Sequence, residues 1–297
     1  MTVHITTPWA LDRLVPDIDE FMGSVWRRRP QVLATCAEGV AGLLTEDDIW
    51  RQLDCGLLSR PYVAAFGGTP AGAAMPTRTR LVEGHEVDDL VDVRGARRAF
   101  ESGATLKFNR IDHWHLPIRE MVDELAEFLD AGVVAHAFLS PPGDEPVITA
   151  HLDGVHVLIL QTAGVKDWVA GRLKPDLPSG SVFCGDGDLD QVGRLTARLR
   201  PGAVLYLPHG SPHYALARSE ISLHVAIEVQ DPAPWDYVQA YSSHVRSAID
   251  RAPASHGAAG FLERFTSALD SVSHQDILPE AVRTVRARTL VAAHHLG

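Results

Sequence analysis

The feature that most constrains the fold is a series of short runs rich in β-branched residues in the middle of the chain. Turn residues bound each run, and none is long enough for an ordinary helix. The five runs cover residues 133–139, 155–162, 165–170, 203–207 and 221–229. Closely spaced strands without long helices between them favour antiparallel sheets over alternating strand–helix units.

Helical patterns flank these strands on both sides. An amphipathic helix is predicted over 118–129, because Pro117 precedes it, Gly132 ends it and its apolar residues share one face. Other helical segments are predicted over 17–26, 45–53, 235–249, 261–272 and 279–295. Residues 61–90 indicate strands and loops, and 176–200 an irregular excursion. The chain is therefore predicted to be mainly β with flanking helices, built on a jelly-roll core. Domain boundaries are expected at 1–231 for the core with its N-terminal helices and 232–297 for a helical C-terminal segment.

Composition excludes several classes of function. The 297 residues carry a formal charge of -11, which disfavours a nucleic-acid surface, because such binding depends on neutralising phosphates. No apolar run reaches the roughly 18 residues that a membrane span needs. The three cysteines form no CxxC pair and no secretory signal is visible, so a reduced, cytoplasmic location is expected.

A metal-binding pattern lies within the strand-rich part. His151 and Asp153 are two residues apart, so on a strand both side chains point to the same face about 6–7 Å apart. His213 follows a turn after a later strand and is the expected third ligand. Two histidines and one carboxylate on one face of a metal are typical of non-haem Fe(II) oxygenases. His209 is a rival for the third position, and the pair His113 and His115 is a second, weaker metal candidate.

The sequence around these residues resembles the JmjC-type ribosomal-oxygenase family of the cupin superfamily, whose members are 2-oxoglutarate-dependent protein hydroxylases. The resemblance covers roughly residues 15–230. It rests on these motifs: Phe138-Leu-Ser140-Pro-Pro-Gly143, His151-x-Asp153, Val157-Leu-Ile-Leu-Gln161, Gly164-x-Lys166-x-Trp168, Pro201 to Pro208, His213 and Ser222-Leu-His224. It implies a double-stranded β-helix core of the jelly-roll (cupin) type, with Fe(II), 2-oxoglutarate and O2 as cofactor and co-substrates.

The resemblance also implies residue roles. His151, Asp153 and His213 would be the catalytic iron ligands. Lys166, one of only three lysines in an arginine-rich chain, would pair with the distal carboxylate of 2-oxoglutarate. Weaker co-substrate candidates are Ser140, Thr149, Ser222 and His136. Ser140 could instead serve the turn before two prolines, His136 could be a buried structural histidine, and Trp168 is expected to pack in the core.

The chain departs from the family pattern at two of these strand positions. His136 stands where the family commonly has asparagine, and His156 where it commonly has a second acidic residue. The chain also continues for only about 60 residues beyond the predicted barrel, whereas ribosomal members generally add a helical dimerisation segment and a winged-helix domain.

The expected function is hydroxylation of an unactivated C–H bond in an amino-acid side chain of a protein or peptide. One alternative is hydroxylation of a free or carrier-bound amino acid, or of a peptide intermediate, in bacterial biosynthesis. A second alternative is a non-catalytic cupin that binds a metal or ligand. The expected partners are the substrate and a second copy of the chain, in a homodimer formed through the C-terminal helices, with no direct nucleic-acid or membrane partner.

Overall fold

The computed structural model describes residues 9–35, 37–68, 75–173, 182–183, 189, 193–251 and 257–291. Its contacts divide the chain into two compact units. The first contains Met1–Leu125 and Val134–Val229, and the second contains Ala126–Val133 and Gln230–Gly297. Grouping of 126–133 with the C-terminal residues was not anticipated from the sequence. The boundary predicted at 231/232 stays a prediction.

The helices flank the strand-rich part of the chain. In chain order they are α1 (Trp9–Leu14), α2 (Ile18–Glu20), α3 (Glu46–Asp54), α4 (Val93–Glu101), α5 (Leu116–Phe128), α6 (Pro234–Arg251), α7 (Gly257–Ser271) and α8 (His274–Val291). A π-helical turn, Phe21–Val25, extends α2. Within the described residues, no helix is both long enough and apolar enough to cross a bilayer.

The strands form two main sheets and a hairpin. They are β1 (Gln31–Ala34), β2 (Val63–Phe66), β3 (Thr77–Val82), β4 (His85–Val91), β5 (Thr105–Phe108), β6 (Gly132–Ser140), β7 (His151–Leu152), β8 (His156–Ala163), β9 (Lys166–Ala170), β10 (Val182–Phe183), β11 (Leu195–Leu199), β12 (Val204–Leu207), β13 (His213–Leu216) and β14 (Ser222–Gln230). The larger sheet has the order β1-β12-β8-β14-β6-β5-β2 and the smaller one β10-β7-β13-β9-β11, while β3 and β4 pair alone.

The core of the first unit lies between the two main sheets. Ile159 and Ala226 of the larger sheet belong to the same buried apolar cluster as Trp168 and Leu199 of the smaller sheet. Because side chains alternate along each strand, one face of each sheet points into this shared interior. The arrangement confirms the predicted jelly-roll core with flanking helices, and Trp168 packs in the core as expected.

All five predicted strands are present, each within one residue of its predicted bounds at either end. The short strands β7, β10 and β13 were not predicted, because two to four residues give too little alternation to detect. The irregular excursion predicted over 176–200 is wrong at Leu195–Leu199, which pairs with β9 along its whole length.

One helix prediction needs correction, and one helix was not predicted. The last helix starts at His274, not at Pro279, which lies inside it. Ser273 begins this helix, because its backbone N–H and hydroxyl both donate to the carboxylate of Asp276. The helix α4 was not predicted; Asp92 caps it by accepting from the N–H groups of Arg94 and Gly95.

Candidate metal centre

Three predicted ligands come together at one end of the barrel interior. Asp153 lies 3.9 Å from Nε2 of His151 and 3.5 Å from Nε2 of His213, measured to its two carboxylate oxygens. One ligand atom from each of the three residues lies within 4.8 Å of the others. His213 is buried, whereas His151 and Asp153 keep about a fifth of their side chains exposed. The site is therefore open on one side.

The strand pairing explains why residues far apart in sequence meet. His151 of β7 is directly opposite His213 of β13 in an antiparallel pair. Their side chains point to the same face, and the ring centroids are 4.4 Å apart. Asp153 directly follows β7. It lies two residues after His151, so its side chain returns to the same face. The pairing of β7 with β13 therefore brings all three predicted ligands to one face of the sheet.

Both histidines are oriented by backbone carbonyl groups. Nδ1 of His151 donates to the carbonyl oxygen of Thr149 at 2.9 Å, and Nδ1 of His213 donates to that of Ser211 at 3.0 Å. A proton on Nδ1 leaves the Nε2 lone pair of each ring available as a ligand. Burial lowers the pKa of His213, outweighing the opposing effect of Asp153, so the ring favours the neutral form that binds metal.

This donor set fits a divalent transition metal. Two neutral imidazoles and one carboxylate suit Fe(II), and three protein ligands on one face leave positions for other ligands. Thr149 and Ser211 provide the supporting carbonyl groups that metal-binding histidines commonly have.

A buried cation lies elsewhere in the same interior. Nζ of Lys166 donates to the Ser140 hydroxyl at 2.8 Å, and the Thr105 hydroxyl donates to the same oxygen at 3.0 Å. Burial lowers the pKa of Lys166 to about 7. Among the described residues no carboxylate pairs with this ammonium group, which leaves it available to an anionic ligand. Ser140, predicted as a co-substrate residue, thus lies beside Lys166, its co-substrate role stays a prediction, and Thr105 is a residue that sequence reasoning missed.

Aromatic rings pack against His213 and around His224, which is close to Lys166. His224 stacks on Phe138 with centroids 4.9 Å apart, and meets Trp168 edge-on at 5.3 Å. Trp168 in turn stacks against the ligand His213. Burial, with Lys166 and His213 close by, lowers the pKa of His224 well below its ordinary value. Within the described part of the chain, the indole N–H of Trp168 and Nδ1 of His224 are buried without a hydrogen-bond partner, and a bound polar ligand would supply one.

His136 belongs to a separate charged cluster of the interior. Its Nε2 lies 3.6 Å from the carboxylate of Glu228, whose side chain is 29% exposed. Burial alone would raise the pKa of Glu228, but His136, Lys107 and His151 together lower it to about 2. Nδ1 of His136 is buried and has no hydrogen-bond partner among the residues that the structure describes. His136 is therefore anchored by Glu228, not by a backbone group, and its co-substrate role stays a prediction.

The two remaining co-substrate candidates have other contacts. The Ser222 hydroxyl is fully buried and accepts from the side-chain amide of Gln161 at 2.9 Å. Thr149 is exposed, and it is its backbone carbonyl that contacts His151. A role of either hydroxyl in binding 2-oxoglutarate stays a prediction, to which these contacts add no support.

The rival histidines lie outside the metal group. Among the described residues, the cluster able to hold a metal contains His213 and not His209. His113 is bonded to the Tyr62 hydroxyl at 3.0 Å, and neither it nor His115 belongs to such a cluster. His156 is buried and accepts from the backbone N–H of His209.

Sequence reasoning also missed Lys107 and Glu228. Both occupy strand positions that face the interior, but a charged residue in a strand is normally expected at the surface. For Lys107, the sequence feature that could have indicated a special role is the scarcity of lysine in the chain. Lys107 and Lys166 are two of three lysines in the chain, and both are buried in the barrel.

Comparisons with known proteins agree with this geometry. Residues 107–237 match the family model of the JmjC domain. The bifunctional lysine-specific demethylase and histidyl-hydroxylase NO66 of Drosophila willistoni is 32% identical over 123 residues, 39% of this chain and 16% of that protein. Ribosomal oxygenase 2 of Bos taurus is 28% identical over 137 residues, 44% of this chain and 29% of that protein. This chain thus spans less than a third of these two curated relatives.

Solved structures show the same fold over most of the chain. YcfD of Escherichia coli aligns with a TM-score of 0.57 and 19% identity, covering 91% of this chain and 70% of that one. A structure of YcfD, a ribosomal oxygenase, in complex with cobalt and 2-oxoglutarate aligns with a TM-score of 0.56 and 18% identity, covering 96% and 73%. Residues 107–237, the segment that matches the JmjC domain, contain His151, Asp153, His213, Lys166 and the central strands of both main sheets.

Proposed function

We propose that this protein is an Fe(II)- and 2-oxoglutarate-dependent oxygenase that hydroxylates an unactivated C–H bond of an amino-acid side chain in a protein or peptide. The observation that carries the proposal is the convergence of His151, Asp153 and His213 in the same interior as the buried Lys166. A metal site and a separate anion site are what a metal-chelating dicarboxylate requires.

The roles of the residues follow from their contacts. His151, Asp153 and His213 would hold Fe(II). The carbonyl groups of Thr149 and Ser211 orient the two imidazole rings. Lys166 would bind the distal carboxylate of 2-oxoglutarate, with its ammonium group oriented by Ser140. When bound, Fe(II) supplies the oxidative chemistry in which substrate C–H, O2 and 2-oxoglutarate become C–OH, succinate and CO2.

The chain itself controls water and charge around this chemistry. Phe138 and Trp168 pack against His224, which is close to Lys166, and this packing reduces the access of water to that region. Neutral His224 adds no positive charge beside Lys166. A weakly solvated ammonium group then interacts strongly with a carboxylate, because the local dielectric is low.

The proposal is tested by Fe(II)-dependent succinate formation with peptide pools as substrates. Substitution His151→Ala should abolish substrate-linked succinate, because the metal would lose one of three ligands. His113→Ala is the matched control and should keep full turnover, since His113 contacts Tyr62 and lies outside the triad. Undiminished turnover in His151→Ala, or loss in His113→Ala alone, would contradict the assignment.

The substrate class is tested separately. Both curated relatives named above are hydroxylases or oxygenases of proteins by name, which supports a protein or peptide substrate here. Free and carrier-bound amino acids are the alternative, and a non-catalytic cupin would consume no 2-oxoglutarate with any of them. Mass spectrometry of reacted peptide pools should show a gain of one oxygen atom on a side chain.

A further inference from the structure

The loop that presents the third ligand is held at several points. Residues 208–212 connect β12 to β13 and end immediately before His213. In the middle of the loop, the N–H of Gly210 donates to the carbonyl oxygen of Asp153 at 2.8 Å. Near its end, the Ser211 hydroxyl donates to the carbonyl oxygen of Gly171 at 2.9 Å. The loop therefore links the ligand His213 to the backbone of the ligand Asp153.

The first half of the loop is held by a side chain. The backbone N–H of His209 donates to Nδ1 of His156 at 3.1 Å, and the Tyr206 hydroxyl lies 2.9 Å from the same nitrogen. A backbone N–H can only donate, so Nδ1 of His156 must be unprotonated. Nδ1 of His156 is therefore the acceptor that holds the loop at His209.

Aromatic packing fixes the His156 ring. Trp26 packs against it with centroids 4.6 Å apart and against Tyr206 at 5.2 Å. The Tyr206 hydroxyl accepts from the backbone N–H of Arg27 at 2.9 Å, so its own proton can point toward His156. All three rings are buried. Because the His156 ring is held in this way, its Nδ1 restricts the position of the His209 N–H that donates to it.

We propose that His156 is a positioning residue for the metal centre: its Nδ1 holds the loop at His209 and thereby keeps His213 in register with His151 and Asp153. Through this hydrogen bond His156 would act on His213 by way of the loop. Removing the acceptor would leave the His209 N–H without its partner and loosen the loop that carries His213. The inference rests on the proposed metal site.

The test measures Co(II) affinity, read from the visible absorption of the bound ion, in the metal-free full-length protein. His156→Leu removes the acceptor and should weaken Co(II) binding by about 10- to 100-fold, the usual effect of losing a supporting group at a metal site. His156→Asn restores an acceptor oxygen near the position of Nδ1 and should bind Co(II) within about threefold of the parent protein.

A packing control separates positioning from general stability. Trp26→Leu disrupts part of the aromatic packing but keeps the acceptor and its hydrogen bonds to Tyr206 and His209. It should therefore lower the melting temperature of the metal-free protein and weaken Co(II) binding much less than His156→Leu does. Equal loss of affinity in His156→Asn and His156→Leu, or unchanged affinity in His156→Leu, would overturn the inference. If the leucine variant does not fold, a 10-fold or larger loss of Co(II) affinity in His156→Asn would still overturn the inference. A parent protein that binds no Co(II) would instead contradict the proposed function.

Discussion

At the scale of single residues, the two buried lysines show how differently one side chain can be used in the same interior. Lys166 has a hydroxyl group as its polar partner, and burial lowers its pKa to about 7. Lys107 lies near the carboxylate of Glu228, which it helps to keep charged. The first lysine is available to an external anion, whereas the second is already balanced by the chain.

The lowered pKa of Lys166 predicts a pH-dependent affinity for 2-oxoglutarate. Below pH 7 the ammonium group is charged and ready to bind a carboxylate. Above pH 7 a proton must be taken up on binding, so the dissociation constant should rise, by up to about tenfold per pH unit. Calorimetric titrations of the Co(II)-loaded protein between pH 6.5 and 8.5 measure this. In Lys166→Arg the rise should disappear, because arginine stays charged; a flat profile in the parent protein would contradict the prediction.

The same burial predicts that Lys166 destabilises the fold. Its folded pKa lies below the ordinary value of 10.5, so the unfolded chain binds more protons between pH 7 and 10.5, and stability rises with pH across that window. At pH 7 the substitution Lys166→Met should therefore raise the free energy of unfolding, on the order of 3 kcal/mol, while abolishing 2-oxoglutarate binding.

Lys107→Met is the matched control for that experiment. It removes the charge near Glu228 and should lower the free energy of unfolding by about 1–2 kcal/mol, less than for a fully buried pair because Glu228 is partly exposed. Urea titrations at pH 7 measure both variants. If Lys166→Met and Lys107→Met lowered the free energy of unfolding by similar amounts, burial of an unpaired charge at Lys166 would be contradicted.

At the scale of elements, the turn between β8 and β9 determines where Lys166 lies. Gly164 in this turn has a φ of +62°, and a Cβ atom there would lie 1.9 Å from the carbonyl oxygen of Ile221. The close approach of the β14 backbone and the left-handed conformation both require glycine. This is the physical reason for the glycine in the Gly164-x-Lys166-x-Trp168 motif.

Gly164→Ala should therefore lower the free energy of unfolding by more than about 3 kcal/mol and weaken 2-oxoglutarate binding, since the clash is with backbone. Gly84 has a similar φ of +82° but no atom within 4 Å of the added Cβ, so Gly84→Ala should cost only about 1 kcal/mol. Denaturant unfolding compares the two. Equal losses would show that backbone conformation alone, and not the contact with β14, explains the glycine.

The strands differ in how well the sequence predicts them. Buried strands such as β8 and β14 carry long apolar, β-branched runs, and their bounds are predicted within one residue. The strands β7 and β13, which carry two of the three proposed metal ligands, have two and four residues. Their pairing is imposed by the neighbouring strands, and a sequence pattern of this length carries too little information to reveal it.

At the scale of the whole molecule, the expected homodimer through the C-terminal helices stays a prediction that the helices make testable. They leave large apolar side chains exposed, notably Trp235, Phe261 and Leu262, and such patches commonly mark interaction surfaces. Leu262→Glu should shift the parent mass from dimer to monomer in light-scattering measurements. Leu81→Glu, on the equally exposed β3–β4 hairpin, should leave it unchanged. A monomeric parent protein would contradict the expectation.

The sequence by itself predicted the strand-rich jelly-roll core and the His151–Asp153 pair, because alternation along strands and metal-ligand chemistry are local properties. It favoured His213 over His209, and the family resemblance indicated Lys166. Only the tertiary structure decided which histidine completes the metal group, which hydroxyls surround Lys166, and that Glu228 and Lys107 share the interior with His136. These contacts join residues up to about 120 positions apart, as for Lys107 and Glu228. They depend on sheet order and register, which no local pattern encodes.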